Sequence, residues 1–279
     1  MKDWTLVIKP KVKWLDLDLR SVWRSRDLVW LFVWRDFVSV YKQTILGPLW
    51  FFIQPVVSTI VFTVIFGKIA KIPTDGVPQT LFYMSGIMMW NYFSDCMNKT
   101  SSTFISNASL FGKVYFPRLI VPISNVISNL TKFFIQFVLF LFFLGYYYIK
   151  GATISPNIYI LLTPILLIIM AGLGLGLGII FSSLTTKYRD LQMLIGFGTS
   201  LMMYVSPIVY PLSFVSSKYK IFFLANPMTS IIETFKYAFL GAGEFSWWSL
   251  LYSTGFMIFV LFFGILIFNK IEKGFMDTV

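Results

Sequence analysis

Histidine is absent and cysteine occurs once, at Cys96. Without those side chains no Cys/His metal cluster can form, and one thiol cannot close an internal disulfide. Cys96 lies near the end of an apolar stretch, which suits a packing role. Charge is scarce as well. Only 13% of the 279 residues are Asp, Glu, Lys or Arg, where a soluble domain carries about 25%. Acid is the rarer sign, with 12 Asp and Glu against 23 Lys and Arg. The few carboxylates are scattered, which argues against a polytopic glycosyltransferase that would gather them around a metal. A G-x-x-x-x-G-K-[ST] phosphate loop is missing, so the chain has no ATPase of its own. The apolar stretches also lack the chain of Asp, Glu or His that an ion-coupled transporter needs. Only Lys132 and Asp95 come close. Both sit near ends of apolar stretches, where snorkelling lowers the cost, and both read as structural. Energy for any active transport must then come from a partner.

Apolar side chains fill the space that charge leaves. The chain is 57% hydrophobic and 19% aromatic, with a mean hydropathy of +0.76. A bilayer is its natural solvent. The net charge of +11 follows from the enrichment of Lys and Arg on the cytoplasmic side of membrane proteins, with no need for nucleic acid. The first apolar run follows some forty mixed residues rich in Trp and Arg, so no cleavable signal peptide is expected.

Residues 1–20 alternate weakly. From Val22 the pattern turns helical: Trp23, Trp30, Trp34, Phe37 and Tyr41 form an aromatic stripe, and Arg24, Asp27, Arg35 and Asp36 fall mostly off it. Such a helix lies in the membrane interface, with Trp rings at headgroup depth. Six spans follow, at about 46–67, 78–98, 121–148, 158–184, 191–211 and 247–269, each near the length a bilayer needs. Residues 1–45 form the N-terminal segment and 46–279 the six-span domain. With the N-terminus inside, most Lys and Arg fall in residues 1–45, 99–118, 185–190 and 270–279, which places both termini in the cytoplasm. Residues 212–246 are broken at Asn226-Pro227 into halves too short to span, which predicts two short helices dipping into the outer leaflet. Gly172 with Gly176, and Gly174 with Gly178, predict close helix packing. The fold class is therefore all-α integral membrane, with an interfacial helix first and short re-entrant helices before the last span.

Several strings carry a resemblance: RDLVWLFVWRDFVSVYKQTILGPLWFFIQP (26–55), FTVIFG (62–67), NASLFGKVYFPRLIVP (107–122), TTKYRDLQ (185–192), SPIVYPLS (206–213) and NPMTSIIETFKYAFLG (226–241). In this order, on a six-span pattern, they resemble the permease subunit of type-2 ABC transporters for polysaccharide export, the group that moves O-antigen, capsular polysaccharide or teichoic acid. The resemblance implies a bacterial inner-membrane homodimer working with two separate ATPase subunits. ATP and magnesium would sit on the ATPase, and this chain would bind no cofactor. The substrate it implies is a lipid-linked polysaccharide; a permease for drugs or lipids is the alternative within the same broad group.

The resemblance also implies roles for particular residues. The loop around 107–118, within 99–118, would couple to the ATPase. There Asn107 or a Ser beside it is a candidate cap. Leu110, Phe111, Val114, Tyr115 and Phe116 offer apolar anchors, with Lys113 and Arg118 as a basic rim. The substrate path would run between protomers along the first, second and fifth spans. Gln54, Ser58 and Phe62 recur every four residues, Trp90 lies mid-span, and Ser200, Met203 and Tyr210 share roughly one face. These residues suit a sugar chain or, equally, helix packing. The outer gate would include Asn226, Pro227, Glu233, Lys236 and Tyr237.

Overall fold

The computed structural model describes residues 19–42, 47–114, 116–188 and 190–274. The weakly alternating lead-in, Tyr115 and Arg189 lie outside the described residues. Every regular element among those described is helical. The chain forms α1 (Leu19–Arg24), α2 (Arg26–Tyr41), α3 (Trp50–Phe62), α4 (Gln79–Ser101), α5 (Thr103–Ser106), α6 (Ala108–Phe111), α7 (Ile120–Ile149), α8 (Thr163–Thr185), α9 (Leu191–Tyr204), α10 (Ser217–Leu224), α11 (Pro227–Leu240) and α12 (Trp247–Gly274). Four helical stretches are long and apolar enough to cross a membrane: Trp50–Ile69, Ile120–Ile149, Ile158–Thr185 and Trp247–Lys270.

The other two expected passes differ for physical reasons. Helix α4 is long enough, at 23 residues, but less apolar. It is the centre of the bundle, packed by α3, α7, α8, α9 and α11, and every residue from Leu81 to Trp90 is buried. Protein shields it, so its surface need not match lipid. The fifth pass was expected to be helical to residue 211, but α9 stops at Tyr204. Pro207 and Pro211 cannot donate to a helix ladder. The chain nevertheless goes on towards the opposite end. Ile208 packs against Gly86 near the start of α4, and Ser213 bonds Asp75 in the α3–α4 connection at 2.8 Å.

Helix α8 is built for close approach. A Cβ on Gly174 or Gly178 would lie 2.7 Å from Cys96 Cβ or 2.5 Å from Thr100 Cβ on α4. A Cβ on Gly176 would lie 2.9 Å from the Leu261 backbone nitrogen on α12. The two glycine pairs thus serve two neighbours, on opposite sides of one helix. Near the end of that helix, Thr185 Oγ1 donates to the Ser101 carbonyl of α4 at 2.8 Å.

Both ends of the described chain lie at one end of the bundle. Phe32 of α2, Phe104 of α5, Phe111 of α6, Ile179 of α8 and Phe268 of α12 form a single apolar cluster. The Phe104 and Phe268 rings stack at 4.9 Å. Lys99, Lys113, Arg118, Lys187 and Lys270 belong to the segments at this end, which is called the basic end below.

Candidate functional site

Three surfaces carry the residues singled out by the sequence. The first is the basic end. The expected helix is broken at Ser25: α1 leaves Trp23 exposed, and α2 turns Phe32 and Val33 inward and leaves Trp30 and Trp34 exposed. Arg24 is exposed. Arg35 pairs with Asp36 at 2.8 Å and lies 4.7 Å over the Phe32 ring. The helix is therefore apolar on two faces, one against protein and one left to the surroundings. That second face suits headgroup depth, where Trp rings are at home.

In the loop after α4, Phe111 departs from the expected exposed anchor. It is buried, with its ring 5.9 Å from Phe104 and 5.7 Å from Phe116. Arg118 stands 5.7 Å over it. Leu110 and Phe116 are partly buried against the same cluster. Ser109, Gly112, Lys113 and Val114 face outward. Asn107 also departs from expectation. Its side chain does not cap α6. Instead its amide donates to the Thr103 carbonyl at 3.0 Å and closes the end of α5. The short helices are thus fixed from within, and a small basic-apolar tip projects.

The second group of residues lies on α3 and α9, two helices that each pack on α4. Gln54 is exposed and Ser58 half-buried, and both line a shallow open groove with Trp50, Ile53 and Val57. Phe62 turns towards the core, 6.2 Å from Tyr83. On α9, Ser200 is exposed beside exposed Phe197, Leu201 and Tyr204, while Met203 packs inward. Tyr210 donates to the Tyr204 carbonyl at 2.6 Å and so closes the broken end of α9. Trp90 stands apart from this group. It is buried in the protomer, 5.3 Å from Phe93.

The third is the end opposite the basic one, where the expected short helices form as α10 and α11. Asn226 caps α11 by accepting from the Met228 N–H at 3.0 Å, and its amide donates to Ser206 at 2.9 Å. Pro227 takes the first helical position, where no N–H is needed. Gly241, in the left-handed region at φ 75°, ends the helix. Glu233 accepts from the Glu244 N–H at 3.0 Å. Lys236 donates to the Pro207 carbonyl at 2.5 Å. Tyr237 stacks on Phe245 at 5.9 Å. Glu233 and Lys236 are fully buried, whereas α10 has no buried residue. Lys220 of α10 is held by exposed Glu244 at 2.6 Å.

The chain matches the ABC-2 type transporter family over residues 27–240, which takes in most of the residues described above. It belongs to that family. Among relatives, the O-antigen export system permease protein RfbA of Klebsiella pneumoniae is 28% identical, over 91% of this chain and 95% of its own. RfbA of Myxococcus xanthus is 27% identical, over 79% and 83%. The polysialic acid transport protein KpsM of Escherichia coli is 24% identical, over 88% and 93%. The transporter chain also holds a feature that reasoning from sequence missed. Asp95 and Lys132 pair at 2.7 Å between α4 and α7. The signal was present, because polar residues recur at helical spacing around each of them.

Proposed function

We propose that this chain is the membrane subunit of an ATP-driven exporter of a lipid-linked polysaccharide. The observation that carries the reading is near full-length similarity to relatives named for O-antigen and polysialic acid export. Two copies meet through the exposed faces of α3 and α9, and the glycan passes between them. Gln54, Ser58 and Ser200 supply hydrogen bonds there, and the exposed aromatic rings meet apolar sugar C–H faces. Two ATPase subunits, which hold ATP and magnesium, dock on the basic end at Gly112, Lys113 and Val114. That end is cytoplasmic, in keeping with its Lys and Arg, and the membrane is a bacterial inner membrane. Helices α10 and α11 stand at the exit as a gate.

The test is ATP hydrolysis by the chain co-assembled with its ATPase in nanodiscs, with and without a lipid-linked glycan. The expected result is glycan-stimulated hydrolysis that disappears when 112–114 is altered. Stimulation by small amphiphiles alone would move the reading to drug or lipid transport. Failure to assemble with any ATPase would overturn it.

A further inference from the structure

Helix α11 carries a glutamate and a lysine on one turn, Glu233 and Lys236, and both are fully buried. Residues three apart on a helix are neighbours, and buried opposite charges are ordinarily paired. Among the described residues, neither of these is hydrogen-bonded to the other. Glu233 Oε2 accepts from the Glu244 N–H at 3.0 Å, in the chain that follows α11. Lys236 donates to the Pro207 carbonyl at 2.5 Å, in the chain that follows α9. One helix thus grips backbone on two sides, and each grip is made by a charge.

Each charge also keeps bonding capacity in reserve. Glu233 Oε1 is buried and has no hydrogen-bond partner among the described residues. Such an acceptor is costly to keep. The Lys236 ammonium has three N–H bonds. One goes to Pro207, and the ammonium lies 3.4 Å over the Phe82 ring. Two other carboxylates at this end are exposed and already engaged. Asp75 accepts from Ser213 at 2.8 Å, and Glu244 from Lys220 at 2.6 Å. Glu233 Oε1 is therefore the acceptor left open for Lys236, and it stands on the same turn. The Glu233 carboxylate itself is held in place. The Glu244 N–H bonds it, and a Cβ on Gly243 would lie 2.9 Å from Oε2. Lys236 is then the side chain with room to turn.

The carbonyl that Lys236 holds belongs to the segment where the fifth pass stops being helical. Two other ties of that segment use neutral or exposed groups: Asn226 to Ser206 at 2.9 Å, and Ser213 to Asp75. Water can replace bonds of that kind at modest cost. The Lys236 tie differs, because an ammonium that lost Pro207 with no second acceptor would be a buried charge without a hydrogen bond.

We propose that Lys236 exchanges acceptors, from the Pro207 carbonyl to Glu233 Oε1, when the end of the fifth pass moves away from α11. Rotation about side-chain bonds is enough, because both residues rise from one turn. Helix α11 stays in place and keeps its grip on Glu244 through Oε2. The charge is never left bare, so the Pro207 segment opens without unfolding the helix beside it. Such a segment at the end of a helix acts as a hinge. The exchange rests on the fold alone; only its use in an exit gate rests on the export reading.

Hydrogen–deuterium exchange of the full chain in nanodiscs tests it, with Glu233→Gln and Glu233→Asp beside the unaltered protein. In the unaltered protein, 205–216 should exchange while 230–240 stays protected. Glu233→Gln keeps an oxygen for the Glu244 N–H but removes the charge that receives Lys236. The open state then loses more than the closed one, so exchange across 205–216 should slow at least about threefold, within the range of coupling between contacting residues. Glu233→Asp keeps the charge and should stay near the unaltered rate. A Glu233 that only braces the loop predicts the opposite sign, since loosening it speeds exchange. Faster or unchanged exchange across 205–216 in a folded Glu233→Gln chain overturns the proposal. Equal slowing in Glu233→Asp does so too, because charge would not be the cause. So does an unaltered protein in which 205–216 and α11 exchange together, a result that needs no variant. Neither ATP hydrolysis nor export enters the readout, so failure here is distinct from failure of the export reading.

Discussion

Lys236 fastens the broken end of the fifth pass. Its ammonium donates to the Pro207 carbonyl and lies 3.4 Å over the Phe82 ring of α4. A helix that stops early leaves carbonyls without partners, and a cation near that end also meets the negative pole of the helix dipole. Lys236→Met keeps much of the volume but removes the donor. A buried carbonyl left unpaired costs about 1–3 kcal/mol. Faster hydrogen–deuterium exchange is expected across 205–216 and little change in α8. Uniform exchange in both regions would show that Lys236 does not hold this segment.

The glycines of α8 yield a sharper contrast. Gly176→Ala pushes a methyl against the α12 backbone, which cannot give way as a side-chain tip can. The expected destabilisation is about 1–3 kcal/mol, as for other overpacked sites. Gly196 of α9 has nothing within 4 Å of an added Cβ. Gly196→Ala should therefore gain about 0.5–1 kcal/mol from helix entropy alone. Thermal unfolding in detergent compares the two, and similar shifts in the same direction would contradict the packing account.

The Asp95–Lys132 pair couples α4 to α7. Asp95→Asn leaves the Lys132 ammonium without its carboxylate, and Lys132→Met leaves the Asp95 carboxylate without its ammonium. Each single change should lower the melting temperature more than the Asp95→Asn/Lys132→Met double. A coupling of about 0.5–3 kcal/mol is the range for contacting residues. Strict additivity in the cycle would mean that the ion pair contributes nothing.

Local chemistry made much of this architecture readable. Runs of apolar residues marked the spans, and Asn226-Pro227 marked the start of α11 because both its signals, a cap and a first-turn proline, act within a few residues. Pro207 and Pro211 also carried the early end of α9, although the apolar pattern on either side masked it. The pairing of α4 with α7 was hidden for a different reason. Asp95 and Lys132 are 37 residues apart, and nothing in the polar residues around either one says which helix it will face. Phe111 shows the same limit. Its neighbours Lys113 and Arg118 look like the rim of an exposed patch, but only the approach of α2, α5 and α12 decides which way the ring turns.

That turn of Phe111 separates two roles within one loop. Phe111→Ala removes a ring from a packed cluster, and such truncations cost about 3–5 kcal/mol. Val114 is 55% exposed and touches no core, so Val114→Asp should leave the melting temperature nearly unchanged. If the projecting tip docks an ATPase, a carboxylate placed in an apolar contact without a partner should weaken assembly. The expected pattern is a folded Val114→Asp chain that fails to stimulate its ATPase, beside a less stable Phe111→Ala chain. Melting curves and ATP hydrolysis on the same two preparations read both effects. Normal stimulation in Val114→Asp would move the docking surface away from this tip, while the internal role of Phe111 would stand on its melting curve alone.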